Sequence, residues 1–104
     1  MTRLEIESTD WAAKISRDRP QDYEYAIRAA MTPGLPVQIY HSPVLGNWRW
    51  IIEDDENFIL SDHPDKNEAY WTCREFDWLP AAIGASNERY RTDIKNKPPR
   101  SKKA

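Results

Sequence analysis

The chain has one cysteine, two histidines and three glycines among its 104 residues, and these shortages exclude several kinds of site. A lone thiol, Cys73, cannot form an internal disulfide, and His41 and His63 lack the close ligand spacing of zinc motifs. Three glycines leave no loop that could cradle a phosphate group. No apolar run approaches the ~20 residues of a membrane span, and the N-terminus lacks a signal-peptide core. We therefore expect a cytoplasmic protein without metal, cofactor or membrane partner.

Catalytic motifs are equally scarce. The serines have no nucleophile-elbow pattern, and Cys73 falls within a predicted helix, where burial raises a thiol pKa and leaves it inert. The acidic run Glu53–Asn57 lacks the alternating ligands and the glycine of a calcium loop. Acid/base chemistry by a carboxylate or a tyrosine is an open alternative, because seventeen acids always permit a pair. The sequence nevertheless predicts a non-catalytic protein.

Charge is unevenly distributed although the net charge is only −2. Residues 1–52 carry six acids and six bases, residues 53–77 nine acids and two bases, and residues 78–104 two acids and seven bases. The three segments therefore have formal charges of 0, −7 and +5. This pattern predicts an acidic surface from the middle segment and a basic one from the last.

Two sequences, Asp18-Arg19-Pro20 and Asp62-His63-Pro64, are typical of helix starts, because Asp can cap free N–H groups and Pro fits the first turn. The first precedes an apolar face with helical spacing, and a shorter helix capped by Ser8 or Thr9 is predicted before it. The second leads to a helix from about Asp65 to Asp77. Two N-terminal helices and one later helix are thus expected.

Between the helices the hydrophobic period changes from 3.6 to 2. Three strands are predicted, around Val37–Ile39, Trp48–Ile52 and Phe58–Leu60, joined by a loop containing Gly46 and by an acidic hairpin turn. The bulky face with Trp48 and Trp50 should pack against the helices. The sequence therefore predicts an α+β fold in which a three-stranded antiparallel β-meander carries one helix packed on the sheet.

The C-terminal part gives less information. A weak signal from Ala81 to Ile94 favours one short helix, and Lys95–Ala104 contain two prolines and five cations. Such a composition is typical of a disordered segment, which can grip phosphates without specificity or simply aid solubility. We expect a single α+β domain over residues 1–94 and a flexible basic tail over residues 95–104.

Tryptophan is abundant, since four of the five tryptophans lie within residues 48–78. Together with Tyr70 and Phe76, these rings exceed what one sheet face and one helix stripe can cover, so most should be buried and one or two exposed as interface anchors. The predicted binding residues combine such rings with acids of the middle segment and one arginine. They are Arg49, Asp54, Asp55, Glu56, Asp62, Asp65, Glu68, Trp71 and Trp78.

The leading hypothesis is a small protein-binding module that presents an acidic, aromatic-edged surface to a basic partner. Such a surface can act as a nucleic-acid mimic, and short chains without motifs are often inhibitors or accessory factors of phage or mobile elements. The alternative is single-stranded nucleic-acid binding through the sheet aromatics and the basic tail, although the −7 segment would repel phosphate. No feature of the sequence predicts the oligomeric state.

Overall fold

The structure, a computed structural model, describes residues 1–83, which form four α-helices and a four-stranded mixed sheet. The helices are α1 (Arg3–Glu7), α2 (Asp10–Asp18), α3 (Tyr23–Ala30, after a 3-10 turn at Pro20–Asp22) and α4 (Lys66–Phe76). The strands are β1 (Leu35–Val44), β2 (Asn47–Asp54), β3 (Ile59–His63) and β4 (Trp78–Ile83). In this part of the chain no helix has the length and apolar character needed to cross a membrane.

Three helices, not the predicted two, precede the sheet. The additional helix is α1, which begins with a capping box: Glu5 N donates to Thr2 Oγ1, and Thr2 N donates to the Glu5 carboxylate. The Arg3 guanidinium lies 2.7 Å from Glu24 and ties α1 to α3. Helix α1 has five residues and buries only Ile6, so its apolar pattern was too short to be seen in the sequence.

The predicted helix starts are partly confirmed. Thr9 caps α2 by accepting a hydrogen bond from Ala12 N, as expected. Helix α4 is capped by Asp65, whereas Asp62 lies in β3, and Asp18 ends α2. An Asp-x-Pro sequence also suits the end of a strand, because the residue before proline prefers an extended backbone. The Asp-x-Pro pattern therefore predicted correctly that a helix begins nearby, but it identified the wrong residue as the helix cap.

The antiparallel meander of β1, β2 and β3 is confirmed, and a fourth strand extends it. Strand β4 pairs in parallel with β1, which gives the order β3-β2-β1-β4. Pro80 is tolerated in this edge strand, and it lies opposite Val37, where the register between β4 and β1 shifts. Ala81–Ile83, part of the predicted weak helix, belong to β4. The rest of that helix and the tail lie outside the described residues.

The helices pack on one face of the sheet. Trp11 of α2, Phe76 at the end of α4 and Trp78 at the start of β4 form a cluster with ring centroids 4.8–5.8 Å apart. Each fully buried large side chain contributes about 1.5–3 kcal/mol. The core consists of Ile6, Ala12, Ile27, Ala29, Ala30, Val37, Ile39, Ile52, Leu60, Ala69, Cys73, Phe76 and Trp78.

Helix α2 covers the edge strand β3. Trp11 Nε1 donates to the Leu60 carbonyl at 2.9 Å, and Arg19 Nη1 donates to the Ile59 carbonyl at 2.8 Å. These bonds occupy backbone acceptors that could otherwise pair with another strand. They also fix α2 beside β3, so that a groove remains between α2 and α4.

Candidate functional site

The turn between β1 and β2 holds an exposed leucine in a conformation that leucine rarely adopts. Val44 pairs with Asn47, so the turn consists of Leu45 and Gly46, with φ of 51° and 86°. Two positive φ values are typical of a type I′ turn, for which Asn-Gly is a preferred sequence. The left-handed region costs a residue other than glycine about 1–2 kcal/mol. Leu45 regains nothing through burial, because 98% of its surface is exposed.

Two further exposed apolar residues flank the turn. Val44 is exposed before it, and Trp48, after it, is 52% exposed. Val44 pairs with Asn47 and Trp48 with Pro43, so their side chains lie on opposite faces of the hairpin. We call Val44, Leu45 and Trp48 the apolar tip. No acidic residue occurs in the sequence from Leu35 to Ile52. Clustered exposed apolar side chains are typical of interaction sites, whereas single ones are ordinary.

An aromatic stack supports the apolar tip. The His41 ring lies 4.5 Å from the Trp50 ring and nearly parallel to it, at 9°, and 5.0 Å from the Trp48 ring. Lys66 Nζ lies 5.4 Å from the Trp50 ring centroid. We call His41, Trp48 and Trp50 the ring stack. Because these contacts restrict Trp48 in advance, a partner that binds its exposed side loses less conformational entropy.

The acidic turn between β2 and β3 is organised by a buried carboxylate. Asp54 Oδ1 accepts hydrogen bonds from Glu56 N and Phe58 N, both at 2.9 Å, and Oδ2 accepts one from the Tyr25 hydroxyl at 2.6 Å. The hydrogen bond to Asp54, with burial and the charge of Asp54, raises the pKa of Tyr25 above its usual 10.0. Asp55 and Glu56 remain exposed. Asp54 therefore belongs to the fold, and only its two neighbours offer carboxylates to solvent.

Other acids of the middle segment also act within the fold. Asp62 Oδ2 accepts a hydrogen bond from Arg49 Nε at 2.8 Å, and Asp65 caps α4. Glu53 is buried and accepts a hydrogen bond from Tyr40 Oη at 3.0 Å. With Asp54, four of the nine carboxylates expected on an acidic surface therefore stabilise local structure.

The two predicted tryptophans of the α4 region have opposite environments. Trp71 is 65% exposed, and the Arg74 guanidinium lies 5.5 Å from its ring centroid. Trp78 is only 3% exposed, and its Nε1 donates to the Ala29 carbonyl at 2.9 Å. Trp78 is thus a core residue and was wrongly included among the binding residues. A spacing of seven residues, as between Trp71 and Trp78, is typical of one helical stripe, but Trp78 begins β4 instead.

A groove of about 640 Å³ lies between α2, α4 and β3. Its lining includes Trp11 and Lys14 from α2, Thr72 and Glu75 from α4, and Leu60 from β3. Three of the predicted binding residues also line it, namely Arg49, Asp62 and Glu68. The groove is therefore walled by charged side chains around a partly apolar interior.

Ser61 and His63 lie together in this groove. Ser61 Oγ is 2.7 Å from His63 Nε2, and His63 Nδ1 is 3.8 Å from Glu68 Oε1. Burial lowers the pKa of His63 below its usual 6.5, against the opposing charges of Asp62 and Glu68. The imidazole is therefore neutral at pH 7 and can accept a proton.

Cys73 and metal chemistry offer no comparable arrangement. Burial raises the pKa of Cys73 to about 12, which keeps the thiol protonated and unreactive. Within residues 1–83, no three His, Cys, Asp or Glu side chains are grouped so that they could hold a metal ion.

The predicted binding residues do not form one surface. Asp54, Asp55 and Glu56 lie at the β2–β3 turn, Arg49, Asp62 and Glu68 at the groove, Asp65 at the start of α4, Trp71 on the exposed side of α4, and Trp78 in the core. Sequence reasoning missed the apolar tip and the Ser61–His63 pair. A Leu-Gly turn and a Ser-x-His spacing were the available signals, but both require the strand ends to be known.

Comparison of the sequence with protein-family models and with curated proteins, and of the structure with solved structures, found no match.

Proposed function

We propose that the chain is a small protein-binding module whose docking surface is the apolar tip. The observation that carries this proposal is Leu45, a fully exposed leucine held in the left-handed region of a type I′ turn. A residue that destabilises its own turn and gains no burial is explained by a contact outside the chain. In the bound state Leu45 would fill an apolar pocket of the partner.

The ring stack supports the same proposal. Trp48 combines an exposed indole surface with a fixed orientation, and tryptophan is enriched among the residues that dominate binding energies. His41 and Trp50 hold that orientation from behind. Trp48 would thus contribute the broad contact beside the pocket that receives Leu45.

Charge bears on the kind of partner. Residues 35–52, which include the apolar tip, contain no carboxylate, while Asp55 and Glu56 follow the other end of β2. Eight strand residues span about 25 Å, so one small contact cannot include both turns. We propose that an apolar cleft receives the tip, and that a basic region of the partner is an additional feature, reached only by a larger interface.

Site-specific photo-crosslinking tests the proposal. A benzophenone amino acid is placed at position 45 in one variant and at position 55 in a matched variant, and each is irradiated in lysate of the source cells. Position 45 should give a discrete protein adduct and position 55 little or none. An adduct from position 55 alone would support the acidic turn instead and reject the apolar tip.

Single-stranded nucleic-acid binding is the second candidate, favoured by the ring stack with Lys66 beside it. Bases stacked on aromatic side chains contribute about 1–3 kcal/mol each. If this function is correct, a labelled oligonucleotide should bind at low salt, and Trp48→Ala should weaken it about tenfold or more. Binding that does not respond to salt or to this substitution would reject this candidate.

A further inference from the structure

We propose a second site, independent of the apolar tip, in which Ser61 is a nucleophile, His63 is its general base and Glu68 is the positioning residue. The groove between α2 and α4 would then hydrolyse small acyl esters. This activity does not depend on the protein-binding function, and it is tested without a partner.

The geometry satisfies the first requirement of such a site. A nucleophile and its base must lie within about 2.6–3.2 Å, and Ser61 Oγ lies 2.7 Å from His63 Nε2. The two residues are separated by one position on β3, so both side chains are on the same face of the strand. Glu68, from the first turns of α4, approaches the other ring nitrogen to 3.8 Å. Such an order of groups is recognised by its geometry on many unrelated folds.

The surroundings favour proton acceptance by His63. The charged groups that act on its ring are Asp62 on the same strand, Glu68 on α4, Arg49 on β2 and Lys14 on α2. Burial, together with the positive charges of Arg49 and Lys14, outweighs the two carboxylates and lowers the pKa of His63, so the ring is neutral at pH 7. Base catalysis should therefore be present at neutral pH and decline as the pH falls below 6.5.

The groove also suits a small ester. Its volume of about 640 Å³ lies within the range of about 300–1,000 Å³ that is typical of small-molecule sites. Trp11, which is half-buried, offers apolar surface for an acyl chain. Lys14 lines the same groove and carries a positive charge that can stabilise an oxyanion.

The reaction proceeds in two steps. Ser61 Oγ forms a bond to the ester carbonyl carbon while its proton moves to His63 Nε2, and the alcohol then leaves with that proton. The product is an acyl ester of Ser61. Water next attacks this ester and gives one proton to His63, the carboxylic acid is released, and Ser61 Oγ recovers its proton.

Covalent labelling of the full chain tests the proposal. A fluorophosphonate probe, which loses fluoride on attack by an activated serine, should label the protein once, and mass spectrometry should locate the adduct on Ser61. Ser61→Ala should abolish labelling, whereas Ser16→Ala, at an exposed serine of α2, should not change it. Labelling that persists in Ser61→Ala, or none in the wild-type protein, would overturn the proposal.

Hydrolysis of 4-nitrophenyl acetate separates the base from its positioning residue. His63→Gln should slow hydrolysis about 100-fold, since a general base contributes about 10²–10⁴. Glu68→Gln should slow it less and shift the acidic midpoint to lower pH, because Glu68 raises the pKa of His63. Unchanged rates in His63→Gln would contradict the proposal. Circular dichroism of each variant distinguishes lost activity from lost fold.

Discussion

The two turns at the ends of β2 differ in what their side chains contact: those of one turn bind groups of the same chain, and those of the other are exposed to solvent. In the acidic turn, Asp54 is buried and binds two backbone N–H groups and the Tyr25 hydroxyl. In the apolar tip, Leu45 and Trp48 extend into solvent, and Leu45 occupies a strained backbone conformation. The charged turn thus contributes to the fold, and the apolar turn offers a surface to a partner. A run of acids in a sequence is therefore weak evidence for an acidic docking face.

Among substitutions in the two turns, the largest effect should come from Asp54→Ala. The substitution removes an acceptor from three donors and leaves two backbone N–H groups without this acceptor, so the free energy of unfolding should fall by about 3 kcal/mol. Urea unfolding followed by tryptophan fluorescence measures the change. The matched Asp55→Ala should stay within about 0.5 kcal/mol of wild type. Equal losses in both variants would remove the structural distinction between Asp54 and its neighbour.

Tyr25→Phe should destabilise the protein by about 1.5 kcal/mol, because it removes the hydroxyl that donates to Asp54. The pH dependence sharpens this prediction. The folded-state pKa of Tyr25 is raised, so its contribution is fully present below the unfolded pKa of about 10 and lost as the pH rises above it. The difference in urea midpoint between wild type and Tyr25→Phe should therefore be clear at pH 8 and much smaller at pH 11. A constant difference would show that the hydroxyl does not titrate as proposed.

In contrast to these substitutions, Leu45→Asn should stabilise the protein. Asparagine tolerates positive φ and is the preferred partner of glycine in a type I′ turn, so stability should rise by about 1 kcal/mol. Thermal unfolding measures the gain. Gly46→Ala, at φ 86° in open space, should lose a similar amount through backbone strain alone. A destabilised Leu45→Asn would mean that Leu45 has a folding role that its exposure does not reveal.

Trp48→Ala should have the smallest effect on stability, below about 1 kcal/mol, because the indole is half exposed and lies beside the His41 ring. Trp78→Ala serves as the matched comparison and should cost about 3–5 kcal/mol, since it empties a core position. Urea unfolding of the two variants measures both values. Similar losses would place Trp48 in the core rather than in the docking surface.

Much of the fold was predictable because local signals determine it. The change of hydrophobic period near residue 35 indicated the meander, and the core positions of α4, Ala69, Cys73 and Phe76, followed from helical spacing. Strand β4 was not predictable, because a parallel pair depends on a partner more than 30 residues away in the chain. Trp78 was misplaced for the same reason.

The candidate site was less predictable than the fold. The distribution of charge along the sequence identified the acidic segment. It gave no sign that Asp54, Asp62 and Asp65 would bind groups of the same chain. Leu45 was hidden because its importance depends on exposure and on a backbone dihedral angle, and neither follows from the identity of a single residue. Sequence patterns identify what a residue is, whereas its function here depends on what already contacts it.

The most direct test of the apolar tip measures stability and partner retention together in Leu45→Asn. The source-cell proteins captured by this variant are compared quantitatively with those captured by wild type and by the charge-reversed pair Asp55→Lys, Glu56→Lys. The account predicts that Leu45→Asn is more stable than wild type and loses the partner, while the charge-reversed pair keeps it. Full retention by Leu45→Asn together with loss by the charge-reversed pair would contradict the account.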